Sequence, residues 1–213
     1  MYKNLLILLL SILLLFSCSK KNNEKVIAEP TEQEIAISIY AEAVEALKKG
    51  DAFYAAKKFK EVESLMPQNK WATKASLMAG YAEYSRSAYS IAIFNLERHI
   101  KNYPADENLP YVHYLIANCY YEQILDEKKD LKPLLKAKEK FEFIMQTYPD
   151  TDYGTDARFK LDLIIDQLAA KEMSVARFYM KTKKWIPALN RLKIVVEKYD
   201  TTVFVEEALH RLV

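Results

Sequence analysis

Between residues 32 and 200 the apolar positions fall into four copies of one short pattern. An alanine stands one helical turn before a large apolar residue, and a terminator follows: Ala55 and Phe59 before Pro67, Ala92 and Leu96 before Pro104, Ala137 and Phe141 before Pro149, Ala188 and Leu192 before Tyr199-Asp200. The four-residue step puts the small and the large residue on one face of a helix. Proline cannot continue a helix, so the chain turns after it. The alanine predicts close approach of a second helix to a first, and the large residue fills the gap between neighbouring pairs. A preceding helix in each unit offers small residues for the crossing, at Ala43, Gly80, Ala117 and Ala176, with Tyr120 and Tyr179 following the last two.

Small, then large, then proline is the signature of a tetratricopeptide repeat. The pattern predicts an all-α fold, a solenoid of antiparallel helix pairs with about five repeats. The last is incomplete, since residues 204–213 read as the opening of another first helix whose apolar stripe lacks a partner, which implies that the natural chain continues or that something else covers it. From Pro67 to Pro104, Pro149 and Asp200 the terminators lie 37, 45 and 51 residues apart, against about 34 in the plain repeat. The polar run 126–133, ending in Pro133, accounts for the first excess. An additional long helix from Asp156 to about Lys171, with Phe159, Leu161, Leu163, Ile164, Ile165 and Leu168 as apolar positions, accounts for the second. Thr31 and Glu34 have the spacing of a capping box that opens the first repeat.

Ahead of the repeats, Lys3 precedes an apolar run from Leu5 to Phe16 that only Ser11 interrupts, and Ser17-Cys18 follows. Twelve residues are too few to cross a hydrocarbon core, which needs about 20. The arrangement is that of a secretory signal, and Leu15-Phe16-Ser17-Cys18 resembles a lipobox, in which the cysteine takes a diacylglyceryl group and becomes the N-terminus. The organisation expected is therefore a signal peptide at 1–17, a lipidated flexible linker at 18–31, three N-terminal repeats at 32–150, and C-terminal repeats with the connecting helix at 151–213. No Asp follows Cys18, which in proteobacterial lipoproteins resembles the default address of the outer membrane, facing the periplasm.

Composition narrows the chemistry. Lys3 is the only charged residue of 1–17, and the remainder of the 31 basic and 29 acidic residues is balanced, so no net field favours nucleic acid. Cys119, the one cysteine besides Cys18, lies in an apolar helical context and reads as a small buried hydrophobe. His99, His113 and His210 have no second ligand one turn away, so no metal is expected. Three glycines cannot build a phosphate-cradling loop, a dinucleotide fingerprint or a nucleophile elbow. Asp162 and Asp166, one turn apart, read as a solvated face rather than a catalytic pair. The expectation is a non-enzymatic protein without cofactors.

With Ala43, Gly80 and Ala117 taken as equivalent, the first-helix residues that face the inner curve are Tyr40, Leu77, Tyr81, Tyr84, Tyr111, Tyr114 and Tyr121. Tyrosine offers a flat apolar face with a polar end and grips a peptide at low rotamer cost. These seven form a candidate peptide-binding groove, although the repeat pattern also uses some first-helix tyrosines for packing.

The chain resembles the BamD family, lipoprotein subunits of the machinery that inserts β-barrel proteins into the outer membrane, in its alphaproteobacterial form. The residues that carry the resemblance are the lipobox at Cys18, Ala75-Ser76-Leu77-Met78-Ala79-Gly80-Tyr81, Cys119-Tyr120-Tyr121-Glu122-Gln123-Ile124 with the insertion after it, Tyr148-Pro149-Asp150-Thr151-Asp152-Tyr153, and Glu207-Ala208-Leu209-His210-Arg211-Leu212. The resemblance implies a scaffold on the periplasmic face of the outer membrane that works beside other Bam lipoproteins. Its C-terminal half would dock on a periplasmic domain of the barrel-forming subunit BamA, and its N-terminal half would engage the C-terminal signals of unfolded outer-membrane substrates. For BamA the candidates are Arg177, Lys181, Lys184, Trp185 and Arg191, in a locally basic section that also holds Lys183 and Lys193. The same anchor and repeats fit a second reading, an adaptor that organises cell-wall or division proteins.

Overall fold

The computed structural model describes residues 30–67, 69–123 and 131–213; the expected signal, Cys18, most of the linker and the insertion at 126–130 lie outside them. Among the described residues there are nine α-helices and no strand. They are α1 (Glu32–Lys48), α2 (Ala52–Leu65), α3 (Lys70–Ser85), α4 (Tyr89–Asn102), α5 (Leu109–Glu122), α6 (Lys132–Thr147), α7 (Asp152–Lys181), α8 (Trp185–Lys198) and α9 (Val205–Leu212). None of the described helices is long and apolar enough to cross a membrane.

Each helix starts and stops for a local reason. Thr31 and Glu34 form the capping box: the Glu34 amide donates to Thr31 Oγ1 at 3.3 Å, and the Thr31 amide donates to Glu34 Oε2 at 2.8 Å. Asp51, Asn69 and Thr151 cap α2, α3 and α7 through their side chains. Met66, Tyr103 and Tyr148 end their helices at φ −138°, −129° and −129°, because a following proline excludes the helical conformation. Tyr199 takes the same turn at φ −132° with no proline behind it, its amide held by Val195 O at 3.0 Å.

Packing follows the small-large pattern. Ala55, Ala92, Ala137 and Ala188 are buried, as are Phe59, Leu96, Phe141 and Leu192 one turn on. Gly80 shows why a small residue is needed at the crossing: a Cβ there would stand 2.5 Å from Leu96 Cδ2. Consecutive helices pack along the chain, and first helices also touch the next first helix, α1 on α3, α3 on α5 and α5 on α7. The second helices make no comparable contact with one another, so the stack curves with its first helices on the inside. Charged clamps close the joints: Glu63 of α2, buried, takes Arg98 of α4 at 2.6 Å, and Glu83 of α3, buried, takes Arg86 at 2.7 Å and Lys60 of α2 at 3.5 Å.

The expected separate helix from Asp156 to Lys171 is instead the middle of one 30-residue helix, α7. Its first half closes the core of the third pair through Ala157, Leu161, Ile164 and Leu168. Its second half opens the fourth through Ala169, Met173 and Ala176, packed on Leu192, Val195 and Ala208. No glycine or proline interrupts residues 155–181, so nothing breaks the helix between its two tasks.

His99 of α4 is fully buried, with Nε2 2.9 Å from Asp106 Oδ2 and Nδ1 unpartnered. Burial holds its pKa below the ordinary value, against the pull of the Asp106 and Glu63 carboxylates and with that of Arg98. The contact is thus a hydrogen bond from a neutral imidazole, and it locks the α4–α5 loop, where Asp106 Oδ1 also accepts from the Asn108 amide at 3.2 Å. Because the unfolded chain takes up a proton that the folded one refuses, stability falls as the pH drops below about 6.5. The urea midpoint is expected to be lower near pH 5 than near pH 7.5. In His99→Gln that difference shrinks, the rest coming from His113, whose pKa burial and Lys140 also lower, and from carboxylates that the fold holds low, such as Glu207; an unchanged difference refutes the assignment to His99.

Candidate functional site

Two structural facts build the inner face. The first helices line it, and tyrosines of α3, α5 and α7 stand half-buried along it. Tyr81 and Tyr84 of α3 pack with ring centroids 6.5 Å apart, and Tyr89 at the start of α4 stands 6.0 Å from Tyr84. On α5, Tyr111 and Tyr114 lie 5.5 and 5.2 Å from Tyr153, in the first turn of α7. All six rings are half-buried. Tyr81, Tyr84, Tyr89 and Tyr111 all pack against one core, that of the second pair, which joins the two groups of rings.

Burial raises the pKa of Tyr84 as well as those of the two α5 tyrosines. Burial, with the neighbouring tyrosines, pushes Tyr111 up to about 12. Burial and a hydrogen bond to Asp156 push Tyr114 up to about 12. In that bond the Tyr114 hydroxyl donates to Asp156 Oδ2 at 2.5 Å, which ties α5 to α7 across the face. Tyr121, two turns beyond Tyr114, sits edge-on to Phe141 at 6.3 Å, and Lys160 Nζ lies 4.8 Å over its ring. The far end of the row therefore carries a cation beside an aromatic face.

The seven groove candidates separate. Tyr81, Tyr84, Tyr111 and Tyr114 come together, and Tyr121 adjoins them. Leu77 is buried in the core of the second pair, and Tyr40 is wedged between Phe59 and Trp71, 5.2 Å from each. Tyr89, Tyr153 and Asp156 belong to the row and were not among the candidates. Thr151 was the available signal for Tyr153: its hydroxyl accepts from the Gly154 amide at 3.0 Å, so the helix begins at Asp152 and carries Tyr153 inward. Cys119 lies in the core behind the row, and burial pushes its thiol up to about 12, where it is an inert thiol.

The C-terminal candidates divide as well. Arg177 is bidentate on Glu207 of α9, with Nε 2.9 Å from Oε1 and Nη2 on Oε2. Arg211 adds a bond to the same carboxylate at 2.7 Å, and Arg177 first, with burial opposing and Arg211 assisting, brings Glu207 down to about 2. Arg191 of α8 holds Glu172 of α7 at 2.9 Å. Lys181, Lys184 and Trp185 stand apart from both pairs, exposed at the α7–α8 turn.

Residues 32–213 match the family model YfiO, described as outer membrane lipoprotein. Outer membrane protein assembly factor BamD of Caulobacter vibrioides is 39% identical over 175 residues, which cover 82% of this chain and 57% of that protein. Its counterpart in Rickettsia prowazekii is 34% identical over 201 residues, 94% of this chain and 78% of that protein. The one in Neisseria gonorrhoeae is 29% identical over 207 residues, covering 92% and 78%. The chain thus spans little more than half of the Caulobacter protein and about three quarters of the other two.

Proposed function

Since the chain belongs to the YfiO family of outer membrane lipoproteins, we propose that it is a non-catalytic scaffold of outer-membrane protein assembly, tethered by lipid at Cys18 on the periplasmic side. In this reading the tyrosine row receives an extended segment of an unfolded β-barrel substrate, ending in its C-terminal signal. The observation that carries it is the clustering of the row: six half-buried tyrosines from four helices, joined by ring contacts and by a shared core, form an apolar strip edged with hydrogen-bonding groups. Aromatic side chains backed by a packed core lose little entropy when they take up a ligand. Lys160, at the end of the row, offers a charge to a terminal carboxylate.

The same reading gives the C-terminal pair of helices to BamA. Arg177 and Arg191 suit it because their intrachain ion pairs hold each guanidinium in a fixed place, with further donor edges free for a partner's carboxylate.

The substrate site is tested by Tyr81→Ala with Tyr114→Ala in the full chain, titrated with a peptide that copies a barrel's C-terminal segment. Loss of two aromatic anchors is expected to weaken binding by about tenfold to a hundredfold, with far-ultraviolet circular dichroism unchanged. Tyr114→Phe keeps the ring, loses the bond to Asp156 and should weaken binding much less. Equal affinity of the double variant and the wild type removes the row as the site.

A further inference from the structure

From Met173 to Val196 the chain has six basic residues and no acidic one. Two of the six, Arg177 and Arg191, are engaged by Glu207 and Glu172. Lys181, Lys183 and Lys184 are crowded into the α7–α8 turn, all exposed and without an ion pair among the described residues. Around them stand three large apolar side chains: Phe178 is 59% exposed, Trp185 59% and Ile186 74%. Neither helix can bury them. The buried stripe of the pair runs through Met173, Ala176, Ala188, Leu192 and Val195; Phe178 and Ile186 lie off it, and Trp185, one turn before Ala188, stands exposed at the first position of α8.

The backbone of the turn points the same way. Three turns between paired helices share one hydrogen-bond pattern, with Asp51 N on Ala46 O, Ala88 N on Glu83 O and Lys184 N on Tyr179 O, each at 2.9 Å. The residue before that amide is left-handed in all three, at Gly50 (φ 85°), Ser87 (φ 62°) and Lys183 (φ 59°). Glycine adopts this conformation freely and lysine does not. In the third turn a cation stands where glycine would be conformationally easier.

Geometry leaves the turn accessible. The first half of α7 is packed on the third pair and ends at Leu168. The 13 residues from Ala169 to Lys181 carry the turn about 20 Å farther along the axis of α7.

We propose that the α7–α8 turn is a membrane contact, in which Phe178, Trp185 and Ile186 enter the headgroup layer of an anionic phospholipid surface and Lys181, Lys183 and Lys184 lie against its phosphates. Tryptophan prefers the bilayer interface, where its ring is buried and its N–H meets water. The free cations are all lysines, point charges on flexible stems that suit a diffuse layer of phosphates, whereas the guanidinium groups that suit a fixed carboxylate are already paired. The inference rests on the outer-membrane placement of the family and is independent of the tyrosine row.

Trp185 reports on this directly. In the full chain with Trp71→Phe it is the sole tryptophan. With vesicles of phosphatidylethanolamine containing a quarter phosphatidylglycerol, its emission is expected to shift to the blue and to be quenched by acyl chains brominated near the headgroup. Vesicles of phosphatidylcholine alone should give little of either, even where the N-terminal apolar segment holds the chain on them. Each lysine near an anionic surface strengthens attachment about fivefold, so Lys181→Gln, Lys183→Gln and Lys184→Gln together should raise the lipid needed for the shift on the order of a hundredfold. An unshifted Trp185 on chains that sediment with the anionic vesicles overturns the proposal. So does an equal response on phosphatidylcholine, or a shift that a BamA periplasmic fragment produces and vesicles do not, which would make the turn a protein-docking site. A tyrosine row that fails its peptide test leaves these outcomes unaffected.

Discussion

Phe141→Ala is expected to lower the unfolding free energy by about 3–5 kcal/mol, the range for deleting a fully buried aromatic side chain whose surroundings cannot close over the space. The surroundings here are rigid on every side. Ala137, one turn before, has no side chain to move in, and Ala117 and Ala157 face the site from α5 and α7. Tyr114 and Tyr121 meet the ring edge-on at 6.2 and 6.3 Å, so both lose their backing. In a stack of repeats each interface is held by its neighbours alone. The loss should therefore concentrate in the third pair and the first half of α7, while the first pair, with its own core around Phe59 and Val62, keeps its helices. Urea unfolding followed by circular dichroism would show an early partial transition in the variant, and peptide affinity would fall with it because Tyr114 no longer holds its place. A single transition displaced by less than about 1 kcal/mol would mean that Phe141 is not the keystone of the pair.

The repeats were legible because they depend on residues that have few alternatives. An alanine at a crossing, a large residue one turn on and a proline after it are steric requirements, and Ala92, Leu96 and Pro104 meet them wherever the rest of the chain lies. The inner face was only partly legible. A helix such as α3 packs against α2 on one side and α4 on the other, so two of its faces are covered and periodicity alone does not tell which apolar residue is left over. Leu77 and Tyr40 fell on the covered side, and Tyr81 and Tyr84 on the open one.

The length of α7 was misread for a different reason. Repeat spacing suggested two helices, whereas the chain itself, free of glycine and proline from 155 to 181, offers no place to stop within α7. Tyr153 was lost with the first turn of that helix. The basic section was visible as composition, but pairing divides it. Glu172 lies 19 residues before Arg191 and Glu207 lies 30 residues after Arg177, separations at which sequence carries no record of contact.

Gly154→Ala is expected to destabilise the chain by about 2 kcal/mol net, although alanine is ordinarily the better helix residue. Helix propensity alone would favour the change by about 1 kcal/mol. Against that, a Cβ on Gly154 would stand 2.2 Å from the carbonyl oxygen of Tyr148, 3.1 Å from its carbon and 3.2 Å from Pro149 Cα. These are backbone atoms, and they are held. The Tyr148 amide donates to Ile144 O at 2.8 Å, and the Tyr148 carbonyl accepts from Thr151 Oγ1 at 2.8 Å, the same hydroxyl that caps Gly154. Relief requires the end of α6 to part from the start of α7, an overpacking cost at the upper end of the usual range, about 3 kcal/mol. Gly80→Ala supplies the contrast: its Cβ would meet a side chain rather than backbone, Leu96 Cδ2 at 2.5 Å and Cγ at 2.7 Å, and because Leu96 is fully buried the core of the second pair must repack, a loss that leaves the backbone corner in place. The consequence reaches the site, because Tyr153 and Asp156 ride on the turn that Gly154 fixes, against Tyr111 and Tyr114 of α5. Gly154→Ala should therefore lower both the urea midpoint and peptide affinity, and Gly80→Ala the midpoint more than the affinity. A Gly154→Ala protein as stable as the wild type would show that the α6–α7 corner yields where its hydrogen bonds say it is fixed.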